Sequence, residues 1–164
     1  MTYAAIHLQP MEEKDVEEAT RLISRALNQA EGEWAAQTFR FHFDCRRHNL
    51  PDGRDYLVWK PDGTLRGLTG LHHDLWGPAE NVWLAWFAVD PEFQRQGIGG
   101  RMLRIVEERA TDKGYRKLLV ETYRHAEFDP ALAFYRARGF QEIGSISNYL
   151  PDGSDMVVFG KVLS

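Results

Sequence analysis

The chain lacks most features that would take a protein out of an ordinary reducing, aqueous setting. One cysteine, Cys45, stands among 164 residues, which excludes an internal disulfide framework and any cysteine-based metal cluster. No stretch approaches the roughly 20 apolar residues that cross a bilayer, and Met1 to Pro10 has neither the basic start nor the apolar run of a secretory leader. Positive charge is not in excess: 20 Lys and Arg against 24 Asp and Glu leave a formal charge of -4, so no basic field draws nucleic acid or an anionic membrane. A Lys-Ser or Lys-Thr pair is missing, which removes a P-loop. The expectation is a cytoplasmic protein with no nucleic-acid or membrane partner.

What is present reads as one globular domain over residues 1–164, with 43% hydrophobic and 27% charged residues. Five Trp and nine Phe supply the aromatic bulk of a packed core. Tyr3 to Leu8 alternates as a strand that Pro10 ends. Apolar positions recur at helical spacing from about Glu13 to Asn28, with Gly32 as the break, and again from about Glu33 to His48. The period then shortens, with strands over Tyr56–Trp59, Leu65–Leu75 and Val82–Val89. The last of these is apolar almost throughout, as in a strand buried on both faces. A helix over Gly97–Lys113, a short strand at Leu118–Val120, a helix over Ala131–Arg138 and strands over Phe140–Tyr149 and Met156–Val162 complete the order β-α-α-β-β-β-α-β-α-β-β.

The segment Val89-Asp90-Pro91-Glu92-Phe93-Gln94-Arg95-Gln96-Gly97-Ile98-Gly99-Gly100-Arg101 carries the first chemistry. A buried strand ends, and closely spaced glycines open an amphipathic helix. Glycines let backbone N–H groups face a ligand with no Cβ in the way, and a helix start adds unpaired donors and partial positive charge suited to phosphate. Arg95 and Arg101 add side-chain charge. An isolated Gly-x-Gly is equally a plain strand-to-helix connection. The late position of the glycines, after three consecutive strands, argues against a dinucleotide-binding fold.

Gln94 to Gly99, following a strand that ends in Val-Asp-Pro, matches the pattern Gln/Arg-x-x-Gly-x-Gly/Ala of the GNAT superfamily of N-acetyltransferases. Ala131-x-x-Phe134-Tyr135-x-x-x-Gly139-Phe140 resembles the second cofactor motif of that family, at the expected distance, and the element order fits over essentially the whole chain. The resemblance implies an α/β (α+β) fold: a mixed, mostly antiparallel sheet of six to seven strands, flanked by about four helices. It implies acetyl-coenzyme A as cofactor. Gln94, Arg95, Gln96, Gly97, Ile98, Gly99, Gly100 and Arg101 would hold the pyrophosphate, and Phe87, Ala88 and Val89 would pair with the pantetheine arm, with Phe134 beside them. The strands on either side of this wedge are expected to splay, and a backbone N–H near Phe87 would meet the developing oxyanion.

Tyr135 is the general-acid candidate, since a phenol near ~10 and a thiol near ~8.5 allow proton transfer without extreme tuning. The alternative for Tyr135 is a core aromatic beside Phe134. Some family members place a Glu where this chain has Trp83, so the nearest carboxylate, Glu80, is the tentative base. His72, His73 and Asp74 lie on the preceding strand. Where the family often has an Asn that bonds pantetheine, this chain has Phe128, so that contact falls to backbone. His72 and His73 point to opposite faces of a strand and are expected to hold no metal.

The acceptor candidates are Glu31, Trp34, Trp83 and Tyr149, which would wall an aromatic pocket for a cation. Three functions follow. The first is acetyl transfer to the primary amine of a small molecule or amino acid, by direct attack in a ternary complex. The second is a protein N-terminal or lysine acetyltransferase, marked by an open groove. The third is a non-catalytic acyl-coenzyme A sensor. A homodimer is a family-level expectation.

Overall fold

The computed structural model describes residues 5–164. Eight strands and four helices follow one another: β1 (Leu8–Pro10), α1 (Val16–Ala26), α2 (Gln29–Arg47), β2 (Arg54–Trp59), β3 (Gly67–His72), β4 (Asn81–Leu84), β5 (Ala88–Val89), α3 (Ile98–Asp112), β6 (Lys117–Tyr123), α4 (Asp129–Ala137), β7 (Gln141–Ile146) and β8 (Met156–Val162). The strands form one sheet in the order β1-β2-β3-β4-β6-β8-β7, with β5 paired to β3. Every pairing is antiparallel except β4 with β6. Among the described residues no helix is long and apolar enough to cross a membrane.

Each face of the sheet has its own core. On one face α1 and α2 bury Leu22, Ile23, Phe39 and Phe43 against Tyr56, Val58 and Leu68. On the other, α3 and α4 bury Leu103, Val106 and Leu132 against Val82, Leu118, Val120 and Phe159. A functional site that must reach both sides of the molecule therefore has to pass through the sheet.

Several boundaries differ from the sequence reading. Tyr3 lies outside the described residues; β1 begins only at Leu8, and Pro10 is its last residue, as the sequence reading has it. An edge strand tolerates it because only one of its sides pairs. Gly32 does not break a helix. It lies within α2, where a Cβ would stand 1.9 Å from Ser24 Oγ, so it permits close approach of α1. The break falls at Asn28, whose side chain accepts the Glu31 N–H at 2.9 Å as an N-cap. The short strand at Leu118–Val120 runs on to Tyr123.

The most consequential difference concerns Val82–Val89, which is not one strand. β4 pairs with β3 through Leu71–Leu84, and β5 pairs with it through Leu68–Ala88. Between these pairs, Ala85, Trp86 and Phe87 oppose only Thr69 and Gly70, a β-bulge with one extra residue. Splitting this segment accounts for the eighth strand.

Candidate active site

β4 and β6 run parallel and pair only through Asn81–Lys117, Val82–Leu118 and Trp83–Leu119. Beyond that point the bulge bends the chain away and the two strands part. The opening holds a cavity of about 350 Å³. Ala131 and Tyr135 of α4 line it on one face of the sheet; Leu27, Glu31, Thr38, Arg54, Tyr56 and His72 line it on the other. Ala85–Phe87 and Val120–Tyr123 form the walls between. The cavity is thus a passage through the sheet, lined from both of its faces.

On the side of α3 and α4, the backbone dominates. Asp90 N–H donates to Arg66 C=O at 2.8 Å, so the alternation of an antiparallel ladder turns the peptide groups of Val89 and Phe87 away from β3 and into the wedge. Consistent with this, Gln94 Nε2 donates to Val89 C=O at 2.9 Å. Arg95 and Gly97 adopt positive φ, 57° and 77°, and Gly97 is the N-cap of α3. That turn presents the first N–H groups of the helix outward, with open space where a Gly97 Cβ would be. Gly99 lies against Phe134, whose ring a Cβ would approach to 3.3 Å. Phe134 in turn packs on Phe87 at 5.6 Å between ring centroids. Arg138 covers the other side of Phe134 at 3.8 Å, in cation–π geometry.

Asp90 anchors this end. Its carboxylate is fully buried, bonded to Arg25 Nη2 at 2.8 Å and Arg66 Nη1 at 3.0 Å, and it accepts the Glu92 N–H at 3.1 Å. Desolvation alone would raise its pKa, but the three donors hold it below the usual carboxylate value. Removing that charge would leave two arginines facing each other at the root of the loop.

Tyr135 is buried among Phe134, Phe140 and Phe159, with ring centroids 5.3, 5.6 and 6.3 Å away. Burial pushes its phenol well above the ordinary value. It stays protonated at neutral pH and can donate a hydrogen bond into the cavity.

On the α1–α2 side, side chains dominate. Glu31 is 4% exposed. Desolvation first, and then repulsion from Glu121 and Glu127, push its carboxyl up to about 7. Glu121, on β6, is also raised by desolvation, and it accepts a hydrogen bond from the Tyr123 hydroxyl at 3.2 Å. Burial together with the Glu121 charge keeps the Tyr123 phenol protonated. Across the cavity Trp86 Nε1 donates to Thr38 Oγ1 at 2.7 Å, tying the bulge to α2. His72 has its pKa lowered by burial and by Arg54.

The fold brings together only some of the residues singled out from sequence. The loop Gln94–Gly99 meets the passage through Phe134, on which Gly99 and Phe87 both pack, and Phe87, Tyr135 and Glu31 line it. Tyr149 stacks on Tyr123 at 6.2 Å and 18°, one side chain removed from it. Trp34 and Trp83 do not line the cavity. Glu80 is not placed to act as a base: it is exposed, four residues before Leu84, at the end of β4 where the strands are still paired. Its carbonyl accepts the Arg116 N–H at 2.7 Å, a strand-end role. Phe128, standing where the family has Asn, lines the cavity and packs on Tyr123 at 5.2 Å.

Sequence reasoning missed Glu121, Tyr123, Thr38, Tyr56 and Arg54. Glu121 left one readable signal, a carboxylate inside an otherwise apolar strand. The others left none, because they come from elements far apart in the chain.

A split parallel strand pair, a bulge beside it and a glycine-opened helix facing the gap describe an acyl-transferase wedge. The chain belongs to the Acetyltransferase (GNAT) family, whose model matches residues 17–140. It is 35% identical over 94 residues to the N-alpha-acetyltransferase RimI of Mycobacterium tuberculosis, which covers 57% of this chain and 56% of that protein. The chain spans 45 to 65% of the length of the curated relatives it matches. Two solved structures share its fold. The ribosomal-protein-S18-alanine N-acetyltransferase of Escherichia coli superposes with a TM-score of 0.74 at 22% identity, covering 98% of this chain and 95% of that one. A GNAT family acetyltransferase of Elizabethkingia anophelis with acetyl-CoA bound gives 0.70 at 21%, covering 98% and 100%.

Proposed function

We propose that this protein is an acetyl-coenzyme A-dependent N-acetyltransferase of α-amines, with the free N-terminus of a peptide or protein as acceptor. The observation that carries this reading is the buried Glu31 carboxyl, pushed up to about 7 inside the passage. An α-ammonium has a pKa near ~8 and a lysine ammonium near ~10.4. Proton transfer to a carboxylate at about 7 is therefore uphill by about one unit for an N-terminus and by more than three for lysine. Two of the similar proteins, an N-alpha-acetyltransferase and a ribosomal-protein alanine acetyltransferase, support the same reading.

The residues present suit the cofactor. The glycine loop has open space at Gly97, and the Phe87 and Val89 peptide groups face the gap with no strand beside them. When bound, acetyl-coenzyme A supplies an activated acetyl thioester. Glu31 would take the proton from the entering ammonium and leave the amine free to attack. The Phe87 N–H would meet the oxygen on which negative charge develops. Tyr135 would donate a hydrogen bond to the departing sulfur. Its raised pKa makes it a donor rather than a full proton source, so solvent completes protonation of the thiol.

The test is amine-dependent thiol release across four acceptors: a peptide with a free N-terminus, the same peptide blocked there but bearing lysine, a polyamine and an aminoglycoside. Release with the free N-terminus alone supports the proposal. Release with the lysine peptide or the polycations alone overturns it.

A further inference from the structure

Arg54 is a cation in a passage that the carboxylates Glu31 and Glu121 also line. It begins β2 and pairs across the sheet with His72. Its side chain is 19% exposed. Asp52 is the nearest carboxylate, yet both Asp52 oxygens are engaged elsewhere: Oδ2 lies 2.8 Å from His42 Nδ1, and Oδ1 accepts the Arg54 backbone N–H at 3.2 Å. The guanidinium stands 3.8 Å from Oδ2, donates to the Asp52 carbonyl at 3.3 Å and lies 5.8 Å from the Phe41 ring. It also hydrogen-bonds the Tyr56 hydroxyl, which lines the same cavity. These contacts orient the fork but use only part of its five donors. Asp52 is held by His42 and is not drawn into a bidentate pair.

The passage therefore carries both signs of charge, with carboxylates on α2 and β6 and a guanidinium on β2. Resting on the α-amine reading above, we propose that Arg54 is a specificity-determining residue that selects acceptors bearing a carboxylate close to the reacting amine. β2 and the bulged β4–β5 segment are two strand spacings apart, roughly 10 Å. Arg54 stands level with Trp83, just short of the bulge along the strands, and lines the same cavity as Ala85–Phe87, which puts the anion near the first residues of a peptide. Two sources share this chemistry, an acidic side chain near a peptide N-terminus and the α-carboxylate of a free amino acid. A planar fork is the side chain suited to either. A cationic second residue would be repelled by Arg54.

The experiment measures kcat and KM for three peptides that differ only in residue two (Asp, Asn or Lys) and for free aspartate, with wild type, Arg54→Gln and Arg54→Glu. Wild type is expected to rank the peptides Asp, Asn, Lys, chiefly through KM. Arg54→Gln should cut the Asp-to-Asn ratio of kcat/KM by about tenfold or more, and Arg54→Glu should invert the order so that Lys leads. A ratio within one preparation is insensitive to the folded fraction, and if Arg54→Glu does not fold, Arg54→Gln decides alone. Ratios that stay the same in the variants overturn the assignment while leaving the peptide reading intact. Transfer to aspartate but to no peptide, lost in Arg54→Gln, supports the anion site and overturns the peptide reading. No transfer by wild type to any of the four overturns both.

Discussion

The two ends of the passage solve recognition in different ways. On the α3–α4 side the contacts offered to a ligand are backbone N–H groups, from the Gly97–Gly99 turn and the inward-facing edge of β5. On the α1–α2 side they are charged side chains drawn from α2, β2, β3 and β6. A backbone site needs glycines and a strand end in one contiguous stretch, so it is rigid and general. A side-chain site is assembled from four elements and can be changed one residue at a time. The donor end can therefore stay constant across a family while the acceptor end varies.

Substitutions at the two ends should separate accordingly. The largest effect is expected from Gly99→Leu, whose side chain would push against Phe134 and Val89 and displace the loop above them. Steady-state kinetics should show kcat/KM for acetyl-coenzyme A falling by on the order of 100-fold, with binding of acceptor or product peptide unaltered. An equal loss of peptide affinity would mean that the two ends are not independent.

Glu31→Gln comes next. Wild-type kcat/KM for the acceptor should rise with pH and level off above about 7, where Glu31 becomes charged. The variant should lose this limb and about 100-fold in rate at pH 8. It should also be more stable there. The folded-state pKa lies above the ordinary 4.5, so the neutral carboxyl's contribution is fully present at low pH and is lost as pH rises from 4.5 to 7. Amide replacement should recover up to about 3 kcal/mol at pH 8, read as a raised Tm. A variant that is slower without losing the limb would remove Glu31 from the proton path.

Tyr135→Phe should lower kcat by between about tenfold and a hundredfold, the worth of one hydrogen bond to a charged sulfur. KM for both substrates should change little. Unchanged thiol release would return Tyr135 to a packing role. The smallest effect belongs to Glu80→Gln, which should leave kcat/KM within about twofold, because its carboxylate lies at the closed end of β4. A large loss there would place the base on the wrong side of the bulge.

How much of this was legible follows from how local each feature is. The loop Gln94–Gly99 and the Phe134-Tyr135 motif were readable because one strand, one turn and one helix carry each of them. Gly32 was read as a helix break on the strength of glycine's low propensity, whereas its missing Cβ serves the contact with Ser24, a tertiary fact. The Val82–Val89 run kept its apolar pattern through the bulge, so periodicity did not reveal that the ladder gains a residue at Ala85–Phe87. Glu80 was chosen for nearness in sequence to the expected base position. Glu31 and Glu121 are 90 positions apart and meet only because β4 and β6 part in front of α2.

The amino-acid sequence by itself determined the family, most of the order of elements and the glycine-opened start of α3, since these rest on propensity, glycine spacing and short-range pattern. Only the tertiary structure decided which carboxylates face the gap, that a bulge frees the Phe87 peptide, and that Arg54 shares a cavity with Glu31. Those are properties of burial and long-range pairing. A carboxyl acquires a pKa near 7 only when the fold removes its water and sets another charge beside it.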